Sequence, residues 1–433
     1  MQDPRRATPR TDAVLADPRL REATRRLGST LVKEAVRAAL QRCRSGTLAP
    51  DAVVAEVLSA LPPAASSLRR VLNATGVVVH TNLGRAPLSA AAVEAMSRAA
   101  GSTDVELDLA TGRRAGRGRA ALAALAAAVP DAESVHVVNN GAAALALVTC
   151  GLAAGRTVVV ARGEMVEIGD GFRIPELLES VGARLREVGT TNRVRLADYQ
   201  AAVDEDTALV LKVHPSNFVV TGFTSTVPVA ELASLPVPVV ADIGSGLLAP
   251  HPRLPHEPNA RDTLRAGAAL VTASGDKLLG GPQCGLLLGR GALVDTLRRH
   301  PLARALRVDK LTLAALEATL VGPVPPVPAA LATPVEELAA RAESICAEVA
   351  ASVACAAVPS TAAVGGGGAP EVELASAAIS LPQELAEPLR LGEPPVVGRL
   401  ERGQLLLDLV GILPADDALL ADAVRRAAKA LVE

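Results

Sequence analysis

The chain has 433 residues, 49% of them hydrophobic, but only three Phe, one Tyr and no Trp. This length predicts two or three domains, and the core must be built from aliphatic side chains. So few aromatic residues exclude base stacking as a major mode of nucleic-acid binding. The formal net charge is only −2, yet residues 1–50 carry +6 and the remainder −8. The basic segment is either a solvated helix surface or a contact for phosphates.

The cysteines and the first residues bear on the compartment. The five cysteines include no CxxC pair and their number is odd. This pattern predicts neither a disulfide framework nor a zinc site, and it favours a reducing compartment. The first ten residues lack the apolar core of a signal peptide, and we expect no uncharged apolar run to span a bilayer. We therefore expect a cytoplasmic protein with no metal site and no membrane partner.

In chain order, the first region is residues 1–65, predicted to be a helical, basic domain. Apolar residues recur at helical spacing over residues 17–27, 30–44 and 51–60, and two prolines at 62 and 63 end the region. The second region, residues 66–320, alternates β-rich and helical segments, which predicts an α/β domain with a mostly parallel sheet. Its candidate strands are residues 135–138, 157–161, 208–213, 237–242, 270–273 and 285–288.

The last third of the chain begins with a proline-rich linker, predicted for residues 321–334. Residues 335–433 follow as a small α+β domain. A helix is expected over residues 335–351, strands near 372–380 and 404–409, and a run of four glycines lies at 365–368.

The strongest local signal for chemistry is SGDKLLGGPQ, residues 274–283, which follows the apolar strand 270–273. Lys277 would reach into a cleft at the carboxyl edge of the sheet, and small neighbours allow close approach to a flat cofactor. Such a lysine suits Schiff-base chemistry because burial lowers its pKa. A surface lysine in a turn is the alternative, and these ten residues alone do not decide between them.

A second motif favours the cofactor. Asp242 ends the apolar strand before the turn IGSG, 35 residues ahead of Lys277. In pyridoxal-phosphate enzymes an aspartate pairs with the pyridine nitrogen and keeps the ring an electron sink. Strand-end Asp followed by strand-end Lys is the order of the aspartate-aminotransferase-like fold. Alone, such an Asp is more often a helix cap or a metal ligand.

Two further segments would complete the cofactor site. Asn140, Gly141 and Ala142 follow a strand and open a small-residue helix, whose free N–H groups and dipole suit the cofactor phosphate. Ser274 would add a phosphate contact. The segment KVHPSN carries His214 and Ser216, and His214 would stack on the ring or bond its 3-hydroxyl, although a lone histidine is more often structural.

Several arginines are placed for an anion. Arg85 lies in an unusual run, NATGVVVHTNLGR, and Arg304 and Arg307 are expected on one face of a helix by their i,i+3 spacing. Guanidinium groups match phosphate-like oxygens. The cluster Arg113, Arg114, Arg117 and Arg119 would meet phosphate or form a subunit contact. Surface charge is the alternative for all of these.

Taken together, these residues resemble the bacterial selenocysteine synthases, the L-seryl-tRNA(Sec) selenium transferases. The resembling stretches follow the family's order through the central region: LNATGVVVHTNLGRAPLS (72–89), DLATGRR (108–114), VVNNGAAAL (137–145), RGEMVEIGDGFRIPE (162–176), VGTTNR (188–193), HPSNF (214–218), DIGSGLL (242–248), SGDKLLGGPQCG (274–285) and ALRVDKLTLAALEATL (305–320).

The resemblance implies an aspartate-aminotransferase-like fold (pyridoxal-phosphate fold type I) and pyridoxal 5'-phosphate as cofactor, with Lys277 as its covalent anchor and Asp242 at its ring nitrogen. Arg85, Arg304 and Arg307 would bind the selenophosphate-like anion. The reaction would convert L-seryl-tRNA(Sec) to L-selenocysteinyl-tRNA(Sec) through an aminoacrylyl intermediate. The amino-terminal domain would grip tRNA(Sec). A homo-oligomer of dimers in a ring, commonly a decamer, is also implied.

Two rival functions remain at this stage. One is a pyridoxal-phosphate lyase acting on a small amino acid or amino sugar acid, whose relatives lack the tRNA-binding amino terminus. The other is a non-catalytic tRNA-binding protein on a decayed fold, which the presence of Lys277, Asp242 and the arginines opposes.

Overall fold

The computed structural model describes residues 7–432, and the chain divides into two compact units at Arg70 and Val71. The first unit is helical: α1 Thr11–Leu15, α2 Pro18–Leu27, α3 Ser29–Arg44 and α4 Val53–Ala60. Pro18 opens α2 and the Asp17 side chain caps it, accepting the N–H of Arg19 at 2.8 Å. Leu20, Val36 and Val57 are among the buried side chains that hold these helices together.

The second unit contains all the strands described. In chain order they are β1 Leu72–Asn73, β2 Val77–Val79, β3 Leu107–Asp108, β4 Arg113–Arg114, β5 Ser134–Val138, β6 Thr157–Ala161, β7 Glu167–Ile168, β8 Phe172–Arg173, β9 Arg184–Val188, β10 Thr207–Val213, β11 Val239–Gly244, β12 Leu270–Ser274, β13 Gly285–Gly289, β14 Ala356–Gly365, β15 Glu373–Pro382, β16 Val396–Val397, β17 Arg399–Glu401 and β18 Gln404–Asp408.

Helices separate most of these strands. They are α5 Ala90–Ala99, α6 Arg119–Ala128, α7 Gly141–Ala153, α8 Ile174–Ser180, α9 Leu196–Ala202, α10 Val229–Leu232, α11 Ala260–Arg265, α12 Gly291–Arg299, α13 Pro301–Ala305, α14 Lys310–Val321, α15 Pro326–Ala332, α16 Val335–Val349, α17 Ala386–Leu391 and α18 Asp417–Val432.

The central sheet has seven strands in the order β5-β13-β12-β11-β10-β6-β9, and only β13 runs antiparallel to its neighbours. Side chains alternate along β13: Leu287 packs with α7 and α12, whereas Leu286 and Leu288 pack with α6 and α14. The sheet is therefore covered by helices on both faces, and the carboxyl ends of β5, β6, β10, β11 and β12 meet at one edge.

A second sheet has the order β17-β18-β15-β14-β2. Its edge strand β2 comes from residues that were expected in the catalytic domain 66–320, and β1 pairs with β16 in the same way. The segment expected to be a proline-rich linker, 321–334, contains α15, whose Val327 and Leu331 are buried. The expected domain limits of 66–320, 321–334 and 335–433 therefore do not follow the packing of the sheets.

Ten of the eighteen strands described were not predicted, and the two longest of these, β9 and β14, escape the sequence patterns for physical reasons. β9, RLREV, is an edge strand whose polar side chains remain largely exposed, so no apolar run marks it. β14, AAVPSTAAVG, consists mainly of small residues and includes Pro359. Its pairing with β15 over eight registered positions supplies the order that local propensity does not.

One other expectation needs correction. Cys346 in α16 forms a disulfide with Cys355, although the sequence indicated no disulfide framework. The stretch Lys310–Ala332, which includes the charged residues Lys310 and Glu317, is long and apolar enough to cross a membrane, but core helices of soluble proteins share this property. In the structure it is two helices, and α14 packs against α5 and α6.

Candidate active site

Lys277 lies just beyond the carboxyl end of β12, in the loop that leads to β13. Burial lowers the pKa of its ammonium group; the carboxylates of Asp242, Asp276 and Glu257 oppose that shift, and Arg85 adds to it. These groups therefore share one electrostatic environment around the lysine. A lysine with a lowered pKa is a usable nucleophile and base near neutral pH.

Asp242 lies beside this lysine, in β11. Burial raises the pKa of its carboxyl group, and a hydrogen bond from Thr272 and the charge of Lys277 oppose the shift. Thr272 is its neighbour on β12 and donates its hydroxyl to Oδ1 at 2.9 Å, and the N–H of Gly244 approaches the same oxygen at 3.3 Å. Among residues 7–432, both side-chain hydrogen bonds go to Oδ1, so Oδ2 is left to accept from another donor. The side chain keeps part of its surface accessible, as a cleft requires.

The next loop along the sheet brings His214 and Ser216 to the same place. His214 follows β10, and its N–H donates to the carbonyl oxygen of Asp242 at 2.9 Å. A Cβ added to Gly244 would lie 3.5 Å from Ser216 Oγ and 3.9 Å from Lys277 Nζ. Ser216 is therefore a close neighbour of the lysine, and His214 is a neighbour of the aspartate.

The predicted phosphate loop forms the adjoining wall. Asn140 caps α7 by accepting the N–H of Ala143 at 2.8 Å, and within the described chain the N–H groups of Gly141 and Ala142 have no acceptor. Ser274 Oγ lies only 2.9 Å from where a Cβ on Gly141 would be, so a side chain at that position would displace the serine hydroxyl from the helix N-terminus. Free amides at a helix N-terminus beside a hydroxyl form an anion site.

The three predicted arginines have different surroundings in the structure. Arg85 has a left-handed φ of 64° and donates to Asp276 Oδ2 at 3.2 Å, next to Lys277. Arg307 pairs with Glu106 at 3.4 Å, and Arg304 is exposed on α13. The expectation that Arg304 and Arg307 share a helical face is wrong, because α13 ends at Ala305 and the backbone of Arg307 instead bridges Val138 of β5.

The arginine cluster extends from the β3–β4 hairpin to the first residue of α6, and three of its four arginines have acidic partners. Glu106 accepts from Arg117 and Arg114 as well as from Arg307, and Arg119 pairs with Asp108. The hydrogen bond from Arg117 lowers the pKa of Glu106. Glu106 therefore connects the hairpin to the segment beside the phosphate loop, a long-range contact that the sequence did not reveal.

Two buried carboxylates and a glycine turn were missed by the sequence analysis. Glu164, after β6, accepts from the ammonium of Lys212 and from the N–H of Val213 at 2.9 Å. Glu257 accepts from His214, and the glycine run 365–368 packs against Lys277. The charge and the glycines were visible in the sequence, but nothing in their local pattern showed that they are buried at this edge.

The described residues fit pyridoxal phosphate, which has an aldehyde, a ring nitrogen and a phosphate to be held. Lys277 is placed for the aldehyde, the unbonded oxygen of Asp242 for a protonated ring nitrogen, and the amides of Gly141 and Ala142 with Ser274 for the phosphate. A partly buried Lys–Asp pair at the carboxyl edge of a mostly parallel sheet, next to a phosphate loop, defines a pyridoxal-phosphate enzyme of fold type I.

Comparison with known proteins shows which family of pyridoxal-phosphate enzymes the chain matches. The L-seryl-tRNA selenium transferase family model matches residues 71–413, and the selenocysteine synthase N-terminal model matches residues 5–44. L-seryl-tRNA(Sec) selenium transferase of Hyphomonas neptunium is 41% identical, over 98% of each chain, and that of Geobacter sulfurreducens is 42% identical, over 97% of this chain and 98% of its own. The chain belongs to the L-seryl-tRNA selenium transferase family.

A solved structure agrees with the fold. D-glucosaminate-6-phosphate ammonia-lyase has a TM-score of 0.59 at 19% identity, covering 84% of this chain and 97% of that chain. The expected fold, family, enzyme class and cofactor are confirmed: this is a pyridoxal-phosphate-dependent selenium transferase on an aspartate-aminotransferase-like fold. The roles of individual residues remain predictions.

Proposed function

We propose that this chain converts L-seryl-tRNA(Sec) and selenophosphate to L-selenocysteinyl-tRNA(Sec) and phosphate, with Lys277 and Asp242 as its central groups. The observation that carries the proposal is the Lys277–Asp242 pair beside the phosphate loop of α7, in a chain alignable over nearly its full length with selenium transferases. Bound pyridoxal phosphate would supply an electron sink that makes the seryl α-hydrogen acidic and allows the β-hydroxyl to leave.

Lys277 would carry the proton. Once displaced by the seryl amine, its amino group would accept the α-hydrogen, and burial favours the neutral amine that this step needs. Burial raises the pKa of Asp242, whereas the hydrogen bond from Thr272 and the charge of Lys277 oppose that shift, and a protonated ring nitrogen would favour the carboxylate in the same way. Its free Oδ2 would hold a proton on the ring nitrogen.

Arg85 would bind the selenium donor close to the reacting carbon. Its charge lowers the pKa of Lys277, and it is held by Asp276, whose backbone also accepts the N–H of Ala86 at 3.1 Å. Selenophosphate carries a high negative charge, which a guanidinium matches by paired hydrogen bonds. Arg304 and Arg307 would add to this site only through movement or a neighbouring subunit, because Arg307 is directed to Glu106.

The amino-terminal unit would grip the tRNA. On α3, Lys33, Arg37 and Arg44 form an exposed stripe beside the buried face, and within residues 7–432 none of the three enters an ion pair. Free cations in a row suit a phosphate backbone. Changing all three to Glu in the full chain should raise the Kd for tRNA(Sec) by at least about tenfold and leave the cofactor spectrum unchanged.

We also propose that the chain forms a homo-oligomer. Apolar side chains are exposed in the segment FVVTGF, residues 218–223, and Phe223 is 89% exposed. Native mass spectrometry should find an oligomer, and Phe223→Ser should weaken it. A monomer at micromolar concentration would contradict this part of the proposal.

The deciding experiment is an assay with purified protein, seryl-tRNA(Sec) and selenophosphate. Selenocysteinyl-tRNA(Sec) should form, and seryl-tRNA(Sec) but not free serine should change the visible absorbance of the bound cofactor. If instead free serine or an amino sugar acid is consumed and seryl-tRNA(Sec) is inert, the protein is a lyase. A purified protein that binds no cofactor would overturn both functions.

A further inference from the structure

Glu257 has the most deeply buried side chain among the carboxylates near Lys277. The side chain is 1% exposed and lies two residues before the cap of α11. Its Oε2 accepts from His214 Nε2 at 3.3 Å and from the N–H of Ala369 at 2.7 Å. Its Oε1 is buried and accepts no hydrogen bond from any described residue. Such a group is costly to bury, so it must be held for a reason beyond packing.

Ala369, one of the two donors to Glu257, belongs to a turn that covers Lys277. This glycine turn, residues 365–369, leaves β14 with positive φ at Gly365, Gly366 and Gly367. A Cβ on Gly367 would lie 3.4 Å from Lys277 Nζ and 3.3 Å from Ser216 Oγ. The turn therefore brings its backbone close to the ammonium group of Lys277, and Glu257 fastens its last residue.

His214, the other donor to Glu257, lies on the side of the site that holds Asp242. His214 follows β10, whose last residue, Val213, pairs with Asp242. A carboxylate can only accept, so the contact with Glu257 places a proton on His214 Nε2 and fixes the orientation of the ring. Glu257 thus joins the histidine beside Asp242 to the turn over Lys277.

We infer that Glu257 is a positioning residue for the cofactor: its one carboxylate fixes the ring of His214 and fastens the glycine turn 365–369 over Lys277. This inference rests on the proposed use of pyridoxal phosphate at Lys277. Glu257 touches neither substrate nor reacting atoms in this role. It acts through the imidazole on one side and the turn on the other.

Glu257→Gln separates the charge of Glu257 from its two contacts. Both donors share Oε2, so an amide oxygen in its place can accept from His214 and from Ala369, and the NH2 group takes the place of Oε1. The substitution also removes a negative charge from a site that contains Asp242, Asp276, Arg85 and Lys277. Glu257→Ala removes both contacts. Exposed Glu133, whose carboxylate accepts the N–H of Gly291 at 2.8 Å, gives the matched control Glu133→Gln.

Two measurements on the holoenzyme, without tRNA or selenophosphate, test the inference. In Glu257→Gln, the pH midpoint of the cofactor's visible absorbance should fall by about half a unit or more, because a charge that favours the protonated lysine nitrogen is gone. In Glu257→Ala, peptides spanning residues 365–372 should take up deuterium faster. Glu133→Gln should change neither result.

A midpoint in Glu257→Gln within about 0.1 unit of the wild type would overturn the inference, and so would unchanged exchange in Glu257→Ala. If the alanine variant does not fold, hydrogen exchange is measured on Glu257→Gln instead, and its turn should exchange as in the wild type. The pH midpoint of the absorbance then tests the inference. If the midpoint moves but no selenocysteinyl-tRNA(Sec) is made, Glu257 keeps its role and the proposed function fails.

Discussion

Two aspartates deep in the second unit are held in different ways. Asp408, at the end of β18, has no exposed surface, and its two oxygens accept from Ser360, Ser376, Arg399 and the N–H of Val410 at 2.5–3.1 Å. From residues 7–432, Asp242 receives hydrogen bonds on one oxygen, and the residue keeps part of its surface accessible. A carboxylate whose two oxygens both accept hydrogen bonds from the protein serves to hold the fold together. A carboxylate with a free oxygen beside a lysine is available for chemistry.

The largest effect on the reaction rate should come from a change at Lys277, beside the carboxylate with the free oxygen. Lys277→Ala removes both the covalent anchor and the base, so the rate should fall by a factor on the order of 10²–10⁴, with the visible absorbance of the bound cofactor abolished. Borohydride reduction followed by peptide mapping should label Lys277 in the wild type. A label on any other lysine would show that the cofactor binds elsewhere and would contradict the role proposed for Lys277.

The two aspartates can be compared directly by matched substitutions. Asp242→Asn should lower the rate by about 100-fold or more and change the cofactor spectrum, with little loss of stability. Asp408→Asn should lower the free energy of unfolding by about 3 kcal/mol, since Arg399 loses its charged partner, and leave the spectrum unchanged. Urea unfolding and absorbance spectra measure both. Equal effects of the two changes on the spectrum would show that the regions are not separable.

A buried histidine tests whether lack of partners alone marks a functional site. Both ring nitrogens of His136, in β5, are buried without a hydrogen bond to any described residue, and burial lowers the pKa of His136 to about 4. Because the folded pKa lies below the unfolded value of about 6.5, the unfolded state binds more protons, and stability is lost as pH falls from about 6.5 to 4.

This loss is on the order of 3 kcal/mol. His136→Leu should therefore flatten the decline in unfolding free energy between pH 6.5 and 4 and leave the cofactor spectrum unchanged. His256→Gln, at an exposed position, is the control and should decline with the wild type. A spectral change in His136→Leu would extend the site to the middle of β5.

The smallest effect is expected at the phosphate loop. Ser274→Ala removes one hydroxyl that faces the N-terminus of α7, so the affinity for pyridoxal phosphate should fall by about tenfold, the equivalent of one hydrogen bond to a charged group. Equilibrium dialysis of the apo protein measures it. The same change at Ser376, which donates to Asp408, should cost stability and leave the cofactor affinity unaltered.

The parts of the molecule that are local in sequence could be predicted. Strands 157–161 and 270–273 are apolar runs between helical segments, and the structure has β6 Thr157–Ala161 and β12 Leu270–Ser274. Lys277 and Asp242 follow such strands, and the carboxyl ends of parallel strands meet at one edge. Their proximity therefore follows once the alternation of strands and helices is recognised.

Contacts between distant segments depended on the tertiary structure. Glu257 and Ala369 are 112 positions apart, and no local pattern marks either as part of the site. Arg307 and Glu106 are 201 positions apart, and the short helix α13 ends before the face that would have joined Arg304 to Arg307. β2 joins the C-terminal sheet because β14, itself not predicted, offers it an edge.

The sequence by itself determined the class of fold and singled out Lys277 and Asp242, the two residues that we propose hold the cofactor. Both follow from apolar periodicity and from the residue types that end each strand. Only the tertiary structure decided which carboxylates accept hydrogen bonds on both oxygens and which oxygen of Asp242 stays free. Those properties depend on donors that other strands and loops bring close. The physical reason is that burial and hydrogen-bond partners belong to a packed arrangement, and a residue's neighbours along the chain do not specify them.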